Sequence, residues 1–159
     1  MLIREWMEAA PEAVRPNTGA HEGLERLLQH GLRALPVVDE RGRLCGVVRD
    51  HALLRVAAQG ARERHDVKVR NVMESRPVRV EADDSLRRAA ELFAAGPHLD
   101  GLPVTEAGRL CGWLSRATVL RALRLPTSSA WPSSPVSWGA VRHDAHPTER
   151  TPDPSTHFS

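Results

Sequence analysis

The five-residue string GRLCG occurs twice, at Gly42 to Gly46 and again at Gly108 to Gly112. Extending both copies outward at a spacing of 66 residues pairs Arg4 with Arg70, Met7 with Met73, Glu8 with Glu74, Pro11 with Pro77 and Val14 with Val80. Downstream, Leu54-Arg55 falls on Leu120-Arg121. Between these blocks Leu32, Leu35, Pro36 and Val37 match Leu99, Leu102, Pro103 and Val104 at a spacing of 67. One insertion near Gly96-Pro97-His98 and one deletion, where PVVDERG becomes PVTEAG, account for the slip. Both fall in expected loops, where a shared fold tolerates changes of length. The chain is therefore read as two copies of one supersecondary unit.

Each copy predicts β-α-β-β-α. A short strand ends at Val14 or Val80, and a polar stretch suited to starting a helix follows: Asn17-Thr18 in copy one, Asp83-Asp84-Ser85 in copy two. The next helix of copy two carries Leu86, Ala89, Ala90 and Phe93 on one face and stops at Gly96. Its counterpart carries Ala20, Leu24, Leu27 and Leu28 and stops at Gly31. Two apolar runs around Gly42 or Gly108 then form a hairpin. A last helix presents Leu53, Leu54 and Ala57, or Val119, Leu120 and Leu123. Two short helices cannot cover the apolar sheet of one copy, and burying a Leu or Val contributes about 1.5 to 3 kcal/mol. The copies should thus pack on each other about a pseudo-twofold axis as one module of the α/β class.

The boundaries expected are 1–60 for copy one, 61–68 for a linker, 69–124 for copy two and 125–159 for a Pro/Ser-rich tail. Half of the twelve prolines lie from Pro126 onward, and no period survives there, so the tail reads as disordered. Its WPSSPVSW stretch, with Trp131 and Trp138, is the one place in it for docking on a partner protein. Arg and Lys number 22 against 20 Asp and Glu, and they are interspersed. A net charge of +2 with no basic block argues against nucleic acid. Arg4, Glu5 and Glu8 interrupt any apolar leader at the start, so neither a signal peptide nor a membrane anchor is expected, and the reading is cytoplasmic. Two cysteines are too few for a disulfide scaffold or a four-ligand zinc site.

The lead-ins REWM and RNVM, the turn VEADDSL, the LPV strand, the acidic-Gly hairpin and the closing helices with LLR and VLR together resemble the CBS domain, repeated. The resemblance covers about residues 1–124. It implies a compact regulatory α/β module that dimerises into a disc, binds adenosine-type ligands such as AMP, ATP or S-adenosylmethionine between its repeats, and is not an enzyme. In the family, a stretch of Gly, two aliphatics, Thr or Ser, two variable residues and Asp holds phosphate through its hydroxyl and ribose through its Asp. Here copy one reads Gly46, Val47, Val48, Arg49, Asp50, His51, Ala52, so both hallmarks are replaced. Copy two reads Gly112, Trp113, Leu114, Ser115, Arg116, Ala117, Thr118, which keeps the hydroxyl and exchanges Asp for Thr.

Loss of a charged hydrogen bond worth about 1.5 to 3 kcal/mol weakens ribose binding by roughly 10- to 100-fold. Ligand binding is therefore expected in the copy-two cleft, at Ser115, Arg116 and Thr118, with Val78, Val80 and Val104 as apolar walls. Arg116, or Arg49 in the other cleft, suits a phosphate; both equally suit solvated positions at a helix start. Cys45 and Cys111 read as small core residues, with a redox pair requiring Cα atoms within about 7 Å. Trp113 either fills space or stacks on a base. Three readings stand side by side: a ligand-sensing module that homodimerises through its helices, a purely structural dimerisation domain with decayed clefts, and a regulator acting through its tail.

Overall fold

The structure is a computed structural model that describes residues 1–60 and 66–124. The tail 125–159 and most of the linker, 61–65, lie outside the described residues, and with them Trp131 and Trp138. After a 3-10 turn at Ile3–Glu5, copy one runs α1 (Ala20–His30), β1 (Ala34–Val38), β2 (Leu44–Arg49) and α2 (Asp50–Ala57). Copy two runs from a single helical turn, α3 (Val69–Val72), through β3 (Val80–Glu81), α4 (Leu86–Ala95), β4 (Gly101–Glu106) and β5 (Arg109–Ser115) to α5 (Arg116–Arg124).

Copy two follows the β-α-β-β-α order, and copy one follows it without a full first strand. β1 and β2 are antiparallel, as are β4 and β5. β3 adds to β4 in parallel, Val80 facing Val104. The matching first strand of copy one is reduced to one parallel bridge, Val14 to Val37. Each hairpin carries an irregularity at the same place, between Val37 and Val38 and between Val104 and Thr105.

The one-residue deletion changes the hairpin turn. In copy one Asp39 organises a longer loop: its carboxylate accepts from the backbone N–H groups of Arg41 and Arg43 at 2.9 and 3.0 Å. In copy two only Ala107 and Gly108 separate the paired residues Glu106 and Arg109. Both have positive φ, 52° and 79°, the backbone of a two-residue I′ turn whose twist matches the strands it joins. The two turns also meet. Leu44 N–H donates to the Gly108 carbonyl and Leu110 N–H to the Gly42 carbonyl, at 3.1 and 3.0 Å. The bridge between the repeat mates Arg43 and Arg109 lies where a pseudo-twofold axis must pass.

The helix ends separate along chemical lines. Ser85 caps α4, its Oγ accepting from Arg88 N–H. Asn17-Thr18 does not cap α1, which starts one turn-residue later from Gly19 with no side-chain cap. Thr18 Oγ1 instead accepts from Arg15 N–H, and Asn17 is taken by Arg70. Gly31 ends α1 at φ 59°, as expected of a left-handed C-terminal glycine.

Packing follows a rule that the repeat alone does not contain: each lead-in packs on the other copy. Ile3 is buried with Val80, Leu86, Ala89, Phe93, Leu102, Val104 and Leu114. Val69 is buried with Val14, Leu27, Leu35, Val37, Val48 and Leu53. Backbone hydrogen bonds fasten the exchange, Glu8 pairing in both directions with Trp113 and Glu74 with Val47. The repeated spacing of Met-Glu and GRLCG has a physical reason. A β-carbon on Gly46 would lie 2.7 Å from Met73 Sδ and 2.8 Å from the Glu74 carbonyl; one on Gly112 would lie 2.7 Å from Met7 Sδ and 3.0 Å from the Glu8 carbonyl. Only a residue without a side chain lets the opposite lead-in approach so closely.

The closing helices bury Leu53, Val56, Val119 and Ala122 but leave Leu54 58% and Leu120 62% exposed. Leu28 on α1 is 74% exposed. The stripes expected to face inward as sets are thus divided, one part in the core and the other outward.

Candidate functional site

A cleft of about 530 Å³ opens where the two copies meet. Copy one lines it with residues 31–34 and with Arg49, Asp50 and His51; copy two contributes His98, Asp100, Gly101, Trp113 and Ser115. Arg33 and Asp100 occupy equivalent repeat positions and form an ion pair with each other at 3.3 Å, so the cleft straddles the pseudo-twofold axis. Its volume lies in the range of small-molecule sites.

Strand ends place its polar groups. Arg49 is the last residue of β2 and Ser115 the last of β5, and the register sets Ala34 opposite Arg49 and Gly101 opposite Ser115. The Arg49 side chain is only 10% exposed and its Nε donates to Glu74 at 3.0 Å. Trp113 lies across the bare backbone of Gly101, where a β-carbon would come within 2.2 Å of the indole nitrogen. Val47, its repeat mate, is fully buried, so the indole is a feature of the copy-two side alone.

Ser115 and Thr118 do come together, Oγ to Oγ1 at 2.8 Å. They are already engaged: Glu8, from the exchanged lead-in, accepts from Thr118 Oγ1 at 2.5 Å and from Ser115 Oγ at 3.4 Å. Arg121 adds a donor to Thr118 at 3.1 Å. This carboxylate is the residue that sequence reasoning missed. Its repeat mate Glu74 holds Arg49 in the equivalent way, and the Glu8/Glu74 pairing at the repeat spacing was the only signal of it.

The remaining expected site residues lie elsewhere. Val80 and Val104 face each other across β3 and β4 in the copy-two core, 1% and 0% exposed, and offer no wall to a ligand. Val78 is surface-exposed ahead of β3. Arg116 turns to the end of α4, its guanidinium donating to the carbonyls of Gly96, Pro97 and Leu99 at 3.0, 2.8 and 2.7 Å and lying 5.5 Å from the centre of the Phe93 ring. These carbonyls belong to the turn that follows α4, where the Gly96 carbonyl also accepts from Leu99 N–H at 2.9 Å, so the guanidinium ties that turn to the start of α5.

Cys45 and Cys111 are free thiols, packed against different core clusters. Burial pushes both thiols upward, with Asp39 adding to the effect at Cys45 and Glu106 at Cys111, the opposite of what activates a nucleophile. Among the described residues no group of three or more His, Cys, Asp or Glu is placed to hold a metal ion. No helix among them is long and apolar enough to cross a membrane.

A family model described as the CBS domain matches twice, over residues 3–59 and 69–125. The chain belongs to the CBS-domain family. It is 29% identical over 136 residues to CBSX2, a chloroplastic CBS domain-containing protein of Arabidopsis thaliana, covering 69% of this chain and 57% of that relative's length. The CBS-domain fold of this chain superposes on the crystal structure of CBSX2 in complex with AMP with a TM-score of 0.68, at 28% identity, covering 77% of this chain and 95% of that one. A CBS domain-containing protein of Dictyostelium discoideum is 28% identical over 134 residues, covering 77% of this chain and 91% of its own. A CBS domain pair solved with 5′-methylthioadenosine and S-adenosyl-L-methionine shares the fold at 20% identity and a TM-score of 0.65, covering 77% of this chain and 95% of that one.

Proposed function

We propose that the chain is a regulatory ligand-sensing module, not an enzyme, that takes an adenosyl ligand in the cleft between its copies and acts on a separate partner. The observation that carries this reading is the composition of the cleft: Ser115 from one copy and Arg49 from the other flank a space of about 530 Å³ beside the Trp113 indole. Hydroxyl and guanidinium groups suit ribose and phosphate oxygens, and an indole offers a face for a base. The CBSX2 relative, solved with AMP, supports the ligand class. Relative to the sequence expectation, the proposed site keeps Ser115, Arg49 and Thr118, drops Arg116, Val78, Val80 and Val104, and adds Trp113.

Titration with AMP, ATP and S-adenosylmethionine by calorimetry tests it. Heat of binding and a raised melting temperature with one of them support the reading; silence from all three at millimolar concentration sinks it. The exposed Leu28, Leu54 and Leu120 favour a second reading, a homodimerisation module with decayed clefts. An isolated leucine on a surface is ordinary, but equivalent leucines exposed on both closing helices suit burial against a second copy. Analytical ultracentrifugation separates a dimer from a monomer, and a dimer without ligand binding selects this second reading.

A further inference from the structure

We infer that Glu8 determines which adenosyl ligands the cleft admits, by setting a carboxylate against the Ser115–Thr118 hydroxyl pair and so disfavouring a phosphate there. The inference rests on the proposed ligand site and specifies its selectivity. Glu8 Oε1 lies 2.5 Å from Thr118 Oγ1 and 3.4 Å from Ser115 Oγ. These two hydroxyls stand where the family stretch places its phosphate and ribose contacts. A phosphate accepting from Ser115 would meet a like charge within a few ångströms, and both groups would compete for the same protons. A neutral ribose hydroxyl or a cationic 5′ substituent would not, since each can donate to or pair with a carboxylate.

The carboxylate is held in place by its backbone. Glu8 N–H donates to the Trp113 carbonyl at 2.8 Å and Trp113 N–H to the Glu8 carbonyl at 2.9 Å. Removing the side chain therefore leaves the lead-in docked. The other half of the cleft is built in the opposite sense: there the lead-in carboxylate, Glu74, neutralises a cation, Arg49, rather than capping hydroxyls. The same exchanged glutamate thus polarises the two ends of the cleft differently, because the residue it meets differs between the copies.

The test is calorimetric titration of the full chain and its Glu8→Gln and Glu8→Ala variants with AMP and with adenosine. Gln keeps the shape and a hydrogen-bonding oxygen without the charge. Because Glu8 is solvent-exposed and its field is screened, the expected gain is about tenfold in AMP affinity for both variants, with adenosine changing less than threefold. In the Glu8→Gln background, Ser115→Ala should take that gain back. AMP binding that changes less than threefold in both variants overturns the role of Glu8 and leaves the ligand site standing. Absence of binding by AMP, ATP, adenosine and S-adenosylmethionine alike, in all forms with unchanged melting temperatures, overturns both.

Discussion

Gly112 and Met7 touch so closely that a β-carbon on the glycine would stand 2.7 Å from the methionine sulfur, and Gly46 stands in the same relation to Met73. A thioether can swing aside, but the Glu8 and Glu74 carbonyls just behind it, at 3.0 and 2.8 Å, cannot without breaking the lead-in pairing. Gly112→Ala and Gly46→Ala should each destabilise the module by ~1 to 3 kcal/mol, as overpacking does. Urea unfolding measures this, and a variant as stable as the parent would refute the close-approach account.

Exchange of the lead-ins makes neither copy complete alone. Residues 1–62 retain Ile3, whose buried core partners are all in copy two, and lack Val69, which fills the core of copy one. That fragment should give a broad thermal transition without a defined midpoint. Differential scanning calorimetry decides the matter, a sharp two-state peak from a monomer being the contrary outcome.

Arg116 is expected to stabilise the fold and to leave ligand binding alone. Its guanidinium closes three carbonyls at the end of α4 and lies over Phe93. Arg116→Ala should lower stability by ~1.5 to 3 kcal/mol, and Arg116→Lys should restore part of it, since an ammonium has no planar fork. If Arg116→Ala abolishes AMP binding while melting normally, the arginine belongs to the ligand site after all.

Ala107 holds a left-handed backbone at φ 52° in the copy-two turn. That conformation costs an L-residue ~1 to 2 kcal/mol, whereas glycine adopts it freely with a smaller entropic cost. Ala107→Gly and Ala107→Asn should both raise the melting temperature by a few degrees. A fall in both would mean that the turn is not of the I′ type in solution.

Asp39 makes acid stability legible. Hydrogen bonds from the Arg43 backbone N–H, chiefly, and from that of Arg41 hold its carboxyl below the usual carboxylate range. A group whose pKa is depressed in the folded state adds stability above its unfolded pKa, near 3.8, and loses it as pH falls through the lower folded value. Asp39→Asn should therefore be less stable than the parent at pH 7, with the difference closing below about pH 4. Urea midpoints from pH 7 to pH 2 would expose a pH-independent difference if this reasoning fails.

Features carried by local chemistry were legible in the sequence. The repeat placed both hairpins, Gly31 and Gly96 ended their helices, and Ser85 capped α4, because each depends on neighbours within a few residues. Properties settled by a distant partner were not. Asn17 is drawn off its helix by Arg70, and Arg116 finds carbonyls from residues 96–99 rather than solvent or a ligand. Glu8 reaches hydroxyls more than a hundred positions away. Val80 and Val104 carry the right chemistry for a base-binding wall, but pairing strand to strand at the centre of a core removes them from any surface. The family resemblance supplied the polar positions of the cleft; only the packing of one lead-in on the opposite copy says what already occupies them.

The crossing of the lead-ins also orders events during synthesis. The segment Met1–Glu8 leaves the ribosome well before its binding place around Val80, Leu102 and Trp113 is made. Copy one, for its part, must wait for Val69 and Glu74 before its interior can close. A nascent chain released before Val69 and Glu74 are made holds two half-built interiors and no finished one, whereas a chain released later in copy two can close the interior of copy one but leaves Ile3 without its partners.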